Sequence, residues 1–246
     1  GMRMQEWIYP VGVVLAGYTV LGLTGFGSAL VIVPLLAMNW PLSEVVALTL
    51  LMDVPASAFH SWLNASQVQW RELRRLLPGL VVGTAAGLWL TPYVQSRWPL
   101  LVLGLYVAAA GLNSLRAKPT AQHPSATLLA GPVGMAIGLV EMLFGTAGPL
   151  VVAWLSRRLT DAQQMRASTP MIIAVAASTV LVGMAWDGRL TNDLLWQRWS
   201  VLIGVSLLGV WLGQRLAYRV QKVRLRQIIS TLLVVSGLLL ALGALR

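Results

Sequence analysis

Three ionisable side chains stand inside apolar stretches of this sequence, where each could take part in chemistry. Asp53 and Glu141 are carboxylates, and Arg166 is a fixed cation. An ionised carboxylate near mid-membrane costs roughly 2.5–3.5 kcal/mol on insertion scales, so Asp53 requires a partner, a wet cavity or a proton. The residues leave two roles open for Asp53, which are coupling to a proton or cation and a structural hydrogen bond.

Polar residues recur around Asp53 at helical spacing. One predicted helix carries, at intervals of 4, 4, 3 and 4 residues, Thr49, Asp53, Ser57, His60 and Asn64. This spacing places the five side chains within an arc of about 80° on one face. Such a face is expected to contact protein or water rather than lipid. For His60, which lies near the end of the run, interfacial packing is favoured over a proton relay.

Glu141 and Arg166 each have more than one role open to them. Glu141 lies a few residues before a glycine cluster, where it could accept a proton, bind a cation or cap the N–H groups of a turn. The planar donor fork of Arg166 suits sulfonate or carboxylate oxygens. The alternative is an interfacial arginine that extends to the cytoplasmic side. We therefore predict that Asp53 and Glu141 act in coupling or gating, and that Arg166 binds substrate.

Two glycine clusters interrupt long apolar runs. The first covers residues 22–28 and the second covers residues 143–149. Each run is too long for one untilted membrane span and short for two, which predicts a helix that stops, turns and restarts within the membrane. The restarting helix points free N–H groups and its positive dipole end at the turn. Two such breaks predict the anion site of a transporter, and close helix packing through small residues is the alternative.

We predict that one anion binds near mid-membrane, between the two breaks. Small residues let the backbone approach the anion closely, while Ser28 and Thr146 add hydroxyl donors. The predicted substrate-binding residues are Gly25, Phe26, Gly27, Ser28, Thr49, Gly145, Thr146, Ala147, Gly148, Arg166 and Thr169.

The composition identifies an integral membrane protein. The chain of 246 residues is 57% hydrophobic and 11% charged, whereas soluble proteins average about 25% charged. The net charge of +10 does not imply nucleic acid, because the basic residues lie in loops between apolar runs. The sequence has no cysteine, no metal-ligand spacing and no phosphate-binding loop. We therefore expect no cofactor, no metal and no enzymatic activity.

The apolar segments divide the chain into two membrane repeats of about five helical segments each. Residues 1–115 form the first repeat, residues 116–125 a cytoplasmic linker, and residues 126–246 the second repeat. Because five is an odd number, the second repeat must insert upside down, and the parity is unchanged if each break forms a re-entrant hairpin. The predicted fold is an all-α membrane protein with two inverted-topology repeats and broken or re-entrant helices.

Local similarity and charge support this division. Residues 25–29 resemble residues 143–147, and residues 46–49 resemble residues 166–169. With this layout, twelve basic residues fall on one side of the membrane and five on the other. Since basic loops stay inside, the richer side is predicted to be cytoplasmic and both termini to lie outside the cytoplasm.

The chain resembles the sulfite exporter TauE/SafE family of bacterial membrane permeases. The resemblance is carried by the glycine-rich break and following proline at residues 25–34, by Ala47 and Thr49, and by residues 167–169. The turns at residues 64–68 and 187–190 fit as well. This resemblance implies a bacterial inner-membrane protein that transports sulfur-containing anions such as sulfite or organosulfonates.

The favoured function is a secondary transporter (permease or exporter) for such an anion, with the lipid bilayer as its surroundings. The alternatives are a channel-like facilitator of another small organic anion, a membrane enzyme with a buried site around Asp53, His60 and Glu141, and a non-transporting subunit. The sequence leaves open the identity of the anion, the direction of transport, the coupling ion and the formation of a homodimer.

Overall fold

A computed structural model describes residues 3–93, 98–116, 124–145 and 147–245. These residues form ten α-helices and a short 3-10 helix, Pro124–Leu129, and they contain no β-strand. In chain order the helices are α1 (Met4–Thr24), α2 (Ser28–Leu36), α3 (Leu42–Leu63), α4 (Trp70–Leu90), α5 (Trp98–Arg116), α6 (Ala130–Phe144), α7 (Gly148–Arg158), α8 (Ala162–Trp186), α9 (Asp193–Arg219) and α10 (Lys222–Ala244). The predicted all-α membrane class is confirmed, and most of the predicted linker lies outside the described residues.

Helix length separates two kinds of segment. Among the described residues, α1, α3, α8, α9 and α10 are long and apolar enough to cross a membrane. By contrast, α2 has 9 residues and α7 has 11. Since a crossing takes about 20 residues, each of these two helices is long enough for about half of the bilayer.

The helices α1, α3 and α9 run side by side in one direction. The Tyr18 hydroxyl on α1 donates to the Asp53 carboxylate on α3, and one turn further along α1 the Gly22 carbonyl oxygen lies 3.3 Å from His60 Nε2. The first turns of α9 hydrogen-bond to the middle of α3, and the last turns of α9 hydrogen-bond to the end of α3, so these two helices are also parallel.

The helices α4, α6 and α8 run together in the opposite direction. The Gln69 N–H, just before α4, donates to the Ser168 hydroxyl on α8, and further along both helices the Thr84 and Thr179 hydroxyls are 3.1 Å apart. The first turns of α8 contact the last turns of α3, so these two central helices are antiparallel.

Several glycines bring long helices into backbone contact. A Cβ atom built at Gly83 on α4 would lie 2.1 Å from the Met135 carbonyl oxygen on α6. One built at Gly22 on α1 would lie 2.4 Å from the Val210 carbonyl oxygen on α9. A side chain at either position would push the helices apart, as expected for small residues at membrane helix interfaces. Close packing therefore accounts for Gly22, the first glycine of the first cluster.

Both predicted breaks separate two helices. α1 is followed by its C-cap residue Gly25, which has φ 90°, and α2 begins after Gly27, which has φ 94°. α6 is followed by its C-cap residue Gly145, which has φ 67°. Residues with a Cβ atom rarely adopt positive φ, which explains glycine at these three positions. α2 then runs back along α1, because the Tyr9 hydroxyl donates to the Leu35 carbonyl oxygen at 2.8 Å.

The helix boundaries around the two breaks recur with an offset of 120 residues. α1 and α6 end at residues 24 and 144, α2 and α7 begin at 28 and 148, and α3 and α8 begin at 42 and 162. This offset agrees with the sequence similarity that pairs residues 46–49 with residues 166–169. It pairs Gly25 with Gly145, which differs by two residues from the pairing suggested by sequence similarity at the breaks.

Candidate functional site

Both breaks line one small cavity, which we call the site cavity. Its volume is about 30 Å³, which is room for about one water molecule. Its lining consists of Gly27, Ser28, Ala29, Leu30, Asp53, Glu141, Gly145, Gly148, Pro149 and Ile173. Asp53 and Ile173 are equivalent under the offset of 120 residues and lie near the middle of α3 and α8. The cavity therefore lies between the two breaks at the centre of the two antiparallel helices.

The Asp53 carboxylate lies beside the start of α2. Its Oδ1 atom accepts hydrogen bonds from the Tyr18 hydroxyl at 2.7 Å and from the Ser28 hydroxyl at 3.1 Å. Ser28 is the first residue of α2, and Asp53 is only 6% exposed. A negative charge at this position interacts favourably with the positive end of the helix dipole.

At the second break the acidic side chain is Glu141, which accepts a backbone N–H rather than a hydroxyl. Its Oε2 atom accepts a hydrogen bond from the Ala147 N–H at 3.0 Å, one residue before α7 begins at Gly148. Of the roles predicted for Glu141, the capping of a free N–H at the turn is confirmed. Within the described part of the chain, neither Asp53 nor Glu141 has a Lys or Arg nitrogen within 4.0 Å.

A larger cavity of about 270 Å³ adjoins the site cavity. The two share Ala29, Leu30, Asp53 and Gly145. The remaining lining residues are Val33, Pro34, Val46, Thr49, Leu50, Leu239 and Leu240. Its α3 residues all precede or include Asp53, so the larger cavity extends from the site toward the side of the membrane where α3 begins. Apart from Asp53 and Thr49, its side chains are apolar.

On the other side of Asp53, a fully buried arginine joins four helices. Arg166 is 0% exposed and donates to the carbonyl oxygen of Gly22 at 2.7 Å, to His60 Nε2 at 2.9 Å and to Asn64 Oδ1 at 2.7 Å. It also donates to Gln214 Oε1 at 2.9 Å and Gln163 Oε1 at 3.0 Å. We call this group, with the Tyr218 ring 5.4 Å from the guanidinium carbon, the Arg166 cluster.

The polar face of α3 is turned toward protein, as predicted. The buried side chains on this helix include all five of its members, Thr49, Asp53, Ser57, His60 and Asn64. Four of them have hydrogen-bond partners. The exception in the described structure is the Ser57 hydroxyl, which is buried between Asp53 and His60 without a partner.

The structure brings six of the predicted site residues together in the site cavity, namely Gly27, Ser28, Asp53, Glu141, Gly145 and Gly148. Thr49 lines the larger cavity, and Thr146 lies outside the described residues. The other five, Gly25, Phe26, Ala147, Arg166 and Thr169, line neither cavity.

Of these five, Gly25, Phe26 and Arg166 pack at the breaks. A Cβ atom at Gly25 would lie 2.6 Å from the Arg166 carbonyl oxygen, so the first break packs on the backbone of α8. A Cβ atom at Gly148 would lie 3.6 Å from Phe26, so Phe26 lies beside the second break. The Thr169 hydroxyl donates to the Met165 carbonyl within its own helix at 2.8 Å.

Sequence reasoning missed several residues of the site. Tyr18 contacts Asp53 across 35 positions of sequence, and Gln163, Gln214 and Tyr218 complete the Arg166 cluster. Gln214 and Tyr218 stand one turn apart near the end of an apolar run, a spacing that could have marked a polar face. Nothing in the sequence near Tyr18 indicates its partner.

The fold and the buried polar centre define a multi-pass α-helical membrane protein. The family model for the sulfite exporter TauE/SafE matches residues 9–240. The chain belongs to this family of membrane transporters, as the sequence resemblance predicted, and the interpretation as a membrane enzyme is set aside.

Two curated relatives are also transporters by description. One, "Probable inner membrane transporter protein TsaS" of Comamonas testosteroni, is 40% identical over 193 residues, which cover 78% of this chain and 80% of the relative. The other, "Probable sulfite/organosulfonate exporter TauE" of Cupriavidus necator, is 22% identical over 200 residues, which cover 78% and 77%. No solved structure matches the chain.

Proposed function

We propose that the protein is a secondary transporter that moves a small sulfur-containing anion, such as sulfite or an organosulfonate, through the site cavity. The observation that carries this proposal is the meeting of both helix breaks, two buried carboxylates and the centres of α3 and α8 around one cavity. The description of the Cupriavidus necator relative supports the substrate class.

We infer that the two halves are inverted repeats. Support comes from the offset of 120 residues that relates the helix boundaries around the breaks. Support also comes from helix direction, because α1 and α3 run opposite to α6 and α8. Inverted repeats with discontinuous helices at mid-membrane are a common plan of secondary transporters.

The orientation follows from charge. The described basic residues in the starts of α4 and α10 and in the ends of α5, α7 and α9 lie at the same side as the end of α3, given the helix directions. This side is cytoplasmic by the positive-inside rule, and both termini then face the opposite side of the inner membrane.

The start of each short helix provides the attraction for an anion. The N-terminal N–H groups and dipoles of α2 and α7 contribute up to about 2 kcal/mol each in partly buried geometry. Ser28 adds a hydroxyl donor, and the lining glycines allow close backbone approach. This modest attraction suits a substrate that has to leave again.

The two carboxylates couple the anion to protons in this proposal. In the structure Asp53 and Glu141 accept the donors at the starts of α2 and α7, and in the ionised form both would repel an anion. A protonated carboxyl group does not repel the anion and has an O–H to donate. Proton uptake by Asp53 or Glu141 therefore accompanies anion binding.

Cavity filling tests the site. A Cβ atom at Gly148 would meet only ordinary contacts, 3.5 Å from Ile173 and 3.6 Å from Phe26, so Gly148→Val inserts a side chain into the cavity without a positive-φ penalty. We expect wild-type protein in detergent to be stabilised by sulfite or alkylsulfonates according to RT ln(1 + [L]/Kd). Gly148→Val should lose this stabilisation and the matching liposome flux.

Gly204→Val is the matched control. No atom lies within 4 Å of a Cβ built at Gly204, which stands on α9 away from both cavities. The control should bind and transport like wild type. Normal binding and flux by folded Gly148→Val protein would move the substrate site away from the breaks.

A further inference from the structure

We propose that the Arg166 cluster is a gate, closed in this structure, between the site cavity and the side of the membrane where α3 ends. The inference rests on the proposed function, since it names the device that keeps one side shut during transport. Under the proposed topology this side is the cytoplasm. Arg166 is thus a positioning residue of the pathway, and substrate need not contact it in the closed form.

The first argument is position. His60 and Asn64 lie 7 and 11 residues after Asp53, two and three turns further toward the end of α3. Arg166 reaches both residues from α8, and it also reaches Gly22 near the end of α1 and Gln214 on α9. The guanidinium therefore stands across the space enclosed by α1, α3, α8 and α9, directly beyond the site.

The second argument is the chemistry of these bonds. A guanidinium can only donate, so its bond to His60 requires an unprotonated Nε2 as the acceptor. The other partners are an amide carbonyl of Gly22 and the side-chain amides of Asn64, Gln163 and Gln214. No carboxylate pairs with Arg166 among the described residues. The cluster is held by several hydrogen bonds to neutral groups, which can be released and remade without separating a buried ion pair.

The third argument is the difference between the two sides of the site. Under the offset of 120 residues, Arg166 is equivalent to Val46. Val46 lines the cavity of about 270 Å³, whereas Arg166 is buried in contacts and lines no cavity found in the described structure. Alternating access requires one side of a central site to be closed while the other is reachable. In this structure a cavity continues from the site on one side, and packed polar side chains lie on the other.

Ser57 marks the stretch that the gate closes off. Its hydroxyl is 0% exposed and has no partner, and it lies on the polar face of α3 between Asp53 and His60. An unpaired buried hydroxyl is costly in a static structure. Opening of the gate would expose this face of α3 to water, which would then hydrogen-bond to the Ser57 hydroxyl.

The chain has no cysteine, so a single introduced thiol reports access directly. Ser57→Cys protein in sealed vesicles of known orientation is treated from each side with a small charged methanethiosulfonate reagent. We expect slow labelling from the side where α3 ends. Adding Arg166→Gln should raise this rate about tenfold or more, because labelling follows the population of the open form.

Arg226→Gln in the same Ser57→Cys background is the matched control. Arg226 lies at the same end of the molecule and bonds Thr160 and Met165 rather than the polar face of α3, so the labelling rate should stay at its starting value. If Arg166→Gln protein does not fold, Gln214→Ala removes one acceptor of Arg166 and should raise the rate by a smaller factor.

Equal labelling rates for Ser57→Cys alone and with either gate variant would overturn the gate. An equal rise with Arg226→Gln would overturn it as well, since the effect would then be general loosening. These outcomes are independent of substrate. If the gate variants leave the labelling rate unchanged while Gly148→Val still loses anion binding, the gate is wrong and the proposed function stands.

Discussion

The two sides of the site differ at equivalent positions of the chain. On one side the second break faces Val46, where a Cβ atom at Gly145 would be 3.8 Å from the valine side chain, and the space continues into the larger cavity. On the other side the first break packs on Arg166, where a Cβ atom at Gly25 would be 2.6 Å from its carbonyl oxygen. The backbone arrangement is therefore similar on both sides, but the contact of Gly145 with Val46 is loose and the contact of Gly25 with Arg166 is tight.

The carboxylates also differ between positions that the offset of 120 residues relates. Asp53 is equivalent to Ile173, and Glu141 is equivalent to Leu21. Each break thus has one acid at the start of its short helix, but the two acids come from different elements. The backbone arrangement thus supplies paired helix starts, whereas single side chains make the two sides of the site differ.

The largest expected effect concerns the orientation of the two sides. We expect reporter fusions at residue 120 and at the C-terminus to give opposite, all-or-none signals, with residue 120 in the cytoplasm, because basic residues concentrate at the side where α3 ends. A fusion in the loop between α8 and α9 serves as a second outside control. Signals from the same compartment at both test positions would contradict the inverted arrangement.

The next largest effect is a difference in thermal stability between variants of the two breaks. Gly25→Ala and Gly145→Ala both place a Cβ atom at positive φ, which costs about 1–2 kcal/mol. Gly25→Ala also forces a clash with the α8 backbone, whereas a Cβ atom at Gly145 makes only an ordinary contact, 3.8 Å from the Val46 side chain. We expect thermal unfolding in detergent to show a much larger loss of Tm for Gly25→Ala, and equal losses would contradict the tight contact at Arg166.

A third effect separates the coupling role of Asp53 from a structural one. Asp53→Asn keeps the shape of the side chain and removes its charge, so we expect flux driven by a pH gradient to fall to the level of protein-free liposomes while anion binding remains. Ser206→Ala is the control, because this buried hydroxyl bonds only within α9. Unchanged pH-driven flux in folded Asp53→Asn protein would return Asp53 to a structural role.

The smallest effect comes from Tyr18, which is equivalent to Gly138 and so has no counterpart in the second half. Tyr18→Phe removes one hydrogen bond to Asp53, and polar contacts of this kind average about 0.6 kcal/mol in membrane proteins. We expect a small loss of Tm and a few-fold change in pH-driven flux. A loss as large as that of Gly25→Ala would show that Tyr18 has a further structural task.

The sequence alone determined the membrane class, the all-helical fold and the buried face of α3. These features are local, because apolar run length, glycine clusters and helical spacing act within a few turns of the chain. The sequence also placed Gly27, Ser28, Gly145 and Gly148 in the two glycine clusters.

Only the tertiary structure decided which of these residues meet. Gly22 and Gly27 stand in the same cluster, yet Gly22 packs against α9 while Gly27 lines the site cavity. The guanidinium of Arg166 could bind either an anion or neutral hydrogen-bond acceptors. It meets neutral acceptors because of the depth at which α8 crosses α3. Such choices depend on the rotation and depth of helices far apart in sequence, which no local pattern encodes.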